Sequence, residues 1–156
     1  GSLTDHLENT EAIIAANCIY HIPNLTEVFT AVNKLLSKSG VVIFEEPYLG
    51  SMYKKVSYDQ IYDEHIFIFS VSAINKIAKI FDLNLVDAIE QPTHGGSMRY
   101  VIARNNQRNI KPSVKRLINK EKKLKLNKIE TCFKFKKSCE ISKKNFIKKL
   151  VVFIGR

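Results

Sequence analysis

The feature that most constrains this chain is an alternation of short apolar runs of strand length with segments of helical spacing. Residues 11–17 (EAIIAAN) read as a strand buried on both faces. After Pro23-Asn24 the apolar residues Leu25, Val28, Phe29, Val32, Leu35 and Leu36 recur at helical spacing. Asn24 fits the N-cap, with Glu27 in the capping-box position, and Ser39-Gly40 ends the helix with glycine in a left-handed cap. Residues 41–44 (VVIF) predict a second strand that runs into the polar end Glu45-Glu46-Pro47-Tyr48. Residues 48–70 read as irregular. Ser70 or Ser72 caps a helix over 72–81 whose apolar face is Ile74, Ile77, Ala78 and Phe81. A third strand over 83–89, a loop over 92–97 and a fourth strand over 98–103 follow. This order implies an α/β sheet in which 12–17, 41–45 and 84–90 are neighbouring strands, covered by helices over 25–37 and 72–81.

Charge divides the 156 residues at one place. Residues 1–104 hold 8 Lys and Arg against 12 Asp and Glu, a net of −4, whereas residues 105–156 hold 17 against 3, a net of +14. The step falls at the polar run 105–109 and predicts two units, 1–106 and 107–156. From Pro112 onward Val114, Leu117, Ile118, Ile129, Cys132, Phe133, Phe146, Ile147 and Leu150 sit at rough helical spacing among lysines. This predicts one or two long basic amphipathic helices, with residues 151–154 approaching a further element. Cys18, Cys132 and Cys139, without a CxxC pair, predict neither a disulfide framework nor a structural zinc site. No apolar run approaches the roughly 20 residues of a membrane span. The first residues, Gly1-Ser2-Leu3-Thr4-Asp5-His6, lack the pattern of a secretory leader, so a cytoplasmic location is expected.

Sheets of this kind build sites at the C-terminal ends of their strands. Here those ends are 17–21, 45–48 and the insert that follows. The insert carries Tyr62-Asp63-Glu64-His65. An imidazole supplies a base near neutral pH, a neighbouring carboxylate can orient it, and a phenol can donate to an oxyanion. His21 follows the first strand, and His94 lies in Thr93-His94-Gly95-Gly96-Ser97, where glycines let backbone amides approach a ligand. A glycine pair between a Pro-led turn and a strand also predicts positive φ at Gly95 or Gly96. His21, Glu64, His65 and His94 are possible metal-ligand types, but no tight ligand spacing supports a metal site.

Four blocks in this order, 17–24 (NCIYHIPN), 44–49 (FEEPYL), 59–65 (DQIYDEH) and 92–99 (PTHGGSMR), resemble the S-adenosylmethionine-dependent C-methyltransferases that act on nucleotide-diphosphate-linked 4-keto sugars. The resemblance covers about residues 10–150. It implies a partial Rossmann-like class I methyltransferase sheet followed by the long basic helices. His65 inherits the role of general base that removes the proton α to the ketone before methyl transfer to carbon. Tyr62 and Glu64 line the same pocket, and His21 matches another active-site histidine. Asn17 ends the strand that passes the cofactor. His94, Gly95, Gly96, Ser97 and Tyr48 fall on the sugar side.

Members of this family also carry an N-terminal zinc-binding cysteine cluster and a Gly-rich cofactor loop. Residues 1–156 contain neither, so the resemblance implies a fragment, with zinc confined to a missing N-terminal region and a C-terminal subdomain cut off at its beginning. Alone, such a fragment is expected to bind S-adenosylmethionine poorly and to be inactive. The implied partner is a nucleotide-diphosphate keto sugar, with neither nucleic acid nor membrane. The competing reading is a non-catalytic basic module that binds nucleic acid or an acidic protein through residues 108–149. The apolar face of that segment speaks for packing onto protein.

Overall fold

The structure is a computed structural model that describes residues 10–155. The expectation that residues 1–6 form no secretory leader falls outside the described residues. Four strands, β1 (Thr10–Ala16), β2 (Leu36–Pro47), β3 (Leu83–Gln91) and β4 (Ser97–Arg104), form one sheet in the order β1-β2-β4-β3. β1 and β2 are parallel and joined through helix α1 (Leu25–Leu35), which makes a Rossmann-type βαβ unit. β4 is antiparallel to both of its neighbours and lies between β2 and β3. The expected strands therefore share a sheet, but β3 does not pair with β2. The reversal at 92–96 allows this: His94, Gly95 and Gly96 all have positive φ, at 49°, 76° and 124°, so β4 turns back along β3 with Ser97 opposite Gln91.

Capping and periodicity set the helices. The Asn24 side chain accepts from the Glu27 N–H and its amide donates to the Glu27 carboxylate. Ser70 caps α3 (Val71–Ile80) by accepting from the Ala73 N–H. Phe29, Val32, Ile74 and Ala78 turn inward against Val42, Phe44, Leu85, Tyr100 and Ile102 of the sheet. The alternation of Val42, Phe44 and Glu46 on one face of β2 follows from the two-residue period of a strand.

Several expectations are corrected. α1 ends at Leu35, and Gly40 lies within β2 without a left-handed conformation. A Cβ there would come within 2.6 Å of the Thr10 carbonyl and 2.8 Å of Leu36, where the pairing with β1 is irregular, so close approach explains this glycine. β1 is an edge strand, and Ile14 is 75% exposed rather than buried on both faces. The supposedly irregular insert begins with helix α2 (Leu49–Lys55). In the basic half, α4 (Pro112–Lys123) packs on β3 and α3, with Val114 and Leu117 in the core. α5 (Ile129–Ile154) runs unbroken through residues 151–154, where a separate element was expected. No helix among the described residues is long and apolar enough to cross a membrane.

Candidate active site

The site is built at the C-terminal ends of β1 and β2. β1 stops at Asn17, whose φ of 51° turns the chain into a single 3-10 turn, Ile19–His21. The insert docks against that turn. The Phe67 N–H donates to the Tyr20 carbonyl at 3.2 Å, and His21 Nδ1 donates to the Glu64 carbonyl at 2.7 Å. Two segments 40 residues apart in sequence are thereby clamped together, and their rings meet. Tyr20 and His65 stand edge to face with centroids 4.3 Å apart, Tyr62 and His65 are 3.9 Å apart, and His21 and His65 are 5.2 Å apart.

The hydrogen bonds assign roles to the ring nitrogens. His65 Nδ1 lies 2.8 Å from the Gln60 carbonyl. A carbonyl only accepts, so Nδ1 carries the hydrogen, and in the neutral ring the lone pair is on Nε2. Nε2 is buried and has no hydrogen-bond partner. A neutral imidazole fixed in this way can take a proton from a group brought to Nε2. The orienting oxygen is the Gln60 carbonyl, not the Glu64 carboxylate that the sequence suggested. Glu64 serves through its main chain, on His21.

The second part of the site joins the ends of β1, β2 and the 92–96 turn. Asn17 Nδ2 lies 3.3 Å from His94 Nε2, while Asn17 Oδ1 is buried without a partner. The Glu45 carboxylate accepts from the Thr93 hydroxyl at 2.7 Å and from Arg99 at 2.9 Å. Thr93 and Arg99 together hold the Glu45 carboxyl below its ordinary range. Lys55 donates to the Gly95 carbonyl at 2.6 Å, and a Cβ on Gly96 would come within 2.5 Å of Ser51. Backbone freedom is thus required at this turn, as the glycine pair predicted.

The structure brings His65, Tyr62 and His21 into one cluster and Asn17, His94 and Gly95 into an adjoining rim. It does not bring Tyr48 there. Tyr48 is 1% exposed, its hydroxyl donates to Glu121, and burial pushes its phenol well above the ordinary range. Ser97 is likewise buried and donates to the Thr93 carbonyl, so it shapes the turn from within. Sequence reasoning passed over Tyr20 and Glu46. Glu46 is fully buried at the end of β2, and a carboxylate on the inward parity of an apolar strand was the signal that could have found it. Among the described residues, no group of three or more His, Cys, Asp or Glu converges as a metal site.

The family described as a methyltransferase domain matches residues 3–88, and the C-methyltransferase C-terminal domain matches residues 92–153. C-methyltransferase NovU of Streptomyces niveus is 33% identical over 86 residues, which is 55% of this chain and 20% of that protein. The chain thus spans about a fifth of the length of this relative. Two solved structures are similar at 16% identity, each over 67% of this chain. They are an O-methyltransferase of neocarzinostatin biosynthesis in complex with S-adenosylmethionine (TM-score 0.45, 32% of its chain) and the C-methylating domain of the citrinin polyketide synthase (TM-score 0.48, 30% of its chain). With a family match over more than half its length, the chain belongs to the methyltransferase-domain family.

Proposed function

We propose that this chain carries the base-bearing part of an S-adenosylmethionine-dependent C-methyltransferase that acts on a nucleotide-diphosphate-linked keto sugar. The observation that carries the reading is His65: Nδ1 is anchored on a carbonyl, and Nε2 is buried, unpartnered and ringed by Tyr20, Tyr62 and His21. A carbon next to a ketone must lose a proton before it attacks a methyl group, and such a ring suits that task. Tyr62 is half-exposed at 49% and can donate to the oxygen on which negative charge develops. His21, held by the Glu64 carbonyl, is the second imidazole at the same mouth.

The orphaned Oδ1 of Asn17 fits a ligand that brings a hydrogen-bond donor to the end of β1, and S-adenosylmethionine offers amine and hydroxyl donors. When bound, the cofactor supplies a methyl group on a sulfonium centre for in-line transfer. His94 and Gly95 form the rim on the sugar side, while Ser97 and Tyr48 support it from the core. Residues 107–156 are proposed as the connection to a second subdomain, with α4 docking that connection on the sheet.

The test isolates the proton step. The full-length protein is incubated with a nucleoside-diphosphate 4-keto hexose in deuterated water without methyl donor, and exchange at the α carbon is followed. His65→Ala should slow exchange about 10²–10⁴-fold while substrate binding survives. Exchange at the parent rate in that variant would make another residue the base.

A further inference from the structure

The two carboxylates that end β2 face opposite ways and meet opposite surroundings. Glu45 looks outward to Thr93 and Arg99, which hold its carboxyl low. Glu46 looks inward and is 0% exposed. Its Oε1 accepts the N–H groups of Ile19 at 2.9 Å and Cys18 at 3.3 Å, which are the first residues of the turn that carries Tyr20 and His21. Its Oε2 is buried with no partner. A paired environment that separates two neighbouring carboxyl groups is a common arrangement at acid–base sites.

We propose that Glu46 is a positioning residue of this site: one oxygen fixes the turn that presents Tyr20 and His21, and the state of the other sets how that turn meets His65. The inference rests on the reading of His65 as the base. The groups that face Glu46 are Cys18, Tyr20 and His21 on the turn and Tyr100 on β4, whose hydroxyl is also buried without a partner, while Glu45, on the opposite face of the same strand, acts on it only through its charge. Burial pushes the Glu46 carboxyl up to about 7, against the pull of the Ile19 and Cys18 amides and of His21. Below that pH the carboxyl keeps its proton on Oε2 while Oε1 still accepts both amides. Above it, the buried charge is held by the same two amides. The turn that carries Tyr20 and His21 is thus coupled to a proton held inside the fold.

Glu46→Gln imitates the neutral carboxyl, with an acceptor for the amides and N–H in place of O–H. Glu46→Ala removes both. The first measurement needs no substrate: hydrogen exchange at the Cys18 and Ile19 amides is followed by NMR in the full-length parent, in Glu46→Ala and in Glu46→Gln. Exchange at both should speed about tenfold or more in Glu46→Ala, because their acceptor is gone, and stay near the parent rate in Glu46→Gln. Unchanged protection in Glu46→Ala overturns the hold of Glu46 on the turn. The second measurement is α-carbon exchange with the same keto-sugar nucleotide. Glu46→Ala should lower kcat about tenfold or more with KM little changed. At pH 6 Glu46→Gln should recover most of that loss, and its pH profile should lack the inflection near the Glu46 value of about 7. A Gln variant as slow as Ala at pH 6, or an Ala variant as fast as the parent, overturns the proposal. Should Ala not fold, the comparison of Gln with parent decides alone. Absence of α-carbon exchange in the parent itself overturns the assignment of His65, and amide protection at Cys18 and Ile19 then still decides Glu46.

Discussion

α4 and α5 are both rich in lysine and both space apolar residues for a helix, yet they meet the rest of the molecule in opposite ways. α4 buries Val114, Leu117 and Glu121, whereas α5 buries only Thr131 among its described residues and leaves Phe133, Phe146, Phe153 and Ile154 more than 60% exposed. Periodicity separates them in part, since the apolar residues of α4 keep to one face and those of α5 spread around the helix. Polar anchors complete the difference. The Glu121 carboxylate accepts from the Val71 N–H at 2.7 Å, the Ser72 N–H at 2.9 Å, the Ser72 hydroxyl, and the Tyr48 hydroxyl at 3.0 Å. It thereby caps α3 from a neighbouring helix. At the other end Lys111 bonds Asp87 at 2.8 Å, and the Lys111 N–H donates to the Val86 carbonyl at 2.8 Å. Among the described residues, the ring contact of α5 outside its own segment is Phe135 with Tyr53 at 6.2 Å.

The largest effect should come from Leu117→Ala. Leu117 is 1% exposed, and its truncation should cost about 2–5 kcal/mol in chemical denaturation, where the transfer and cavity terms add. A loss of only a few tenths would mean that α4 docks no more firmly than α5. Glu121→Ala comes next, at about 1–3 kcal/mol, because it strands buried donors on α3 and Tyr48. The same variant should speed hydrogen exchange at Val71 and Ser72, and unchanged protection there would remove Glu121 as the anchor.

A smaller and pH-dependent effect belongs to Asp87. Burial would raise its carboxyl, but bonds from Lys111 and Ser113 and the Lys111 charge outweigh it, so the folded value lies below the ordinary 3.8. The unfolded chain therefore takes up the proton first as pH falls. The Asp87 contribution is present above about pH 3.8 and is lost below it as the folded value is passed. Asp87→Asn should flatten that acid limb in denaturation curves. An identical limb in parent and variant would detach Asp87 from the α4 dock. The smallest effect is expected on α5, where Phe146→Ser should shift stability by no more than about 0.5 kcal/mol. A larger loss would show that α5 holds contacts equivalent to those of α4.

Much of the architecture was legible from the residues. Strand-length apolar runs with helical segments between them predicted β1 to β4, α1 and α3, and short-range chemistry predicted the Asn24 cap and narrowed the next to Ser70 or Ser72, of which the structure uses Ser70. The glycines at 95 and 96 announced a turn with positive φ, which the structure contains. The insertion of β4 between β2 and β3 was not legible, because strand order depends on pairing between residues about 55 apart, such as Phe44 with Tyr100. α2 was missed because its seven residues mix glycine, serine and tyrosine and show no clear stripe. At the candidate site, residue types pointed to His65, Tyr62 and His21. Reading Glu64 as the orienting carboxylate relied on adjacency in sequence, where neighbouring side chains need not meet.

By itself the sequence determined which segments are strands and helices, which carry charge, and which residue types stand at strand ends. Those are properties of a few neighbouring residues, set by backbone sterics, capping and apolar periodicity. Only the tertiary structure decided that Gln60 orients His65, that the Glu64 main chain holds His21, and that Glu46 and Glu121 are buried carboxylates supporting a turn and a helix. Each of these is a hydrogen bond whose partner is fixed by how the chain is folded. A buried polar group must find such a partner wherever the fold places one, and that requirement is written in three dimensions rather than along the chain.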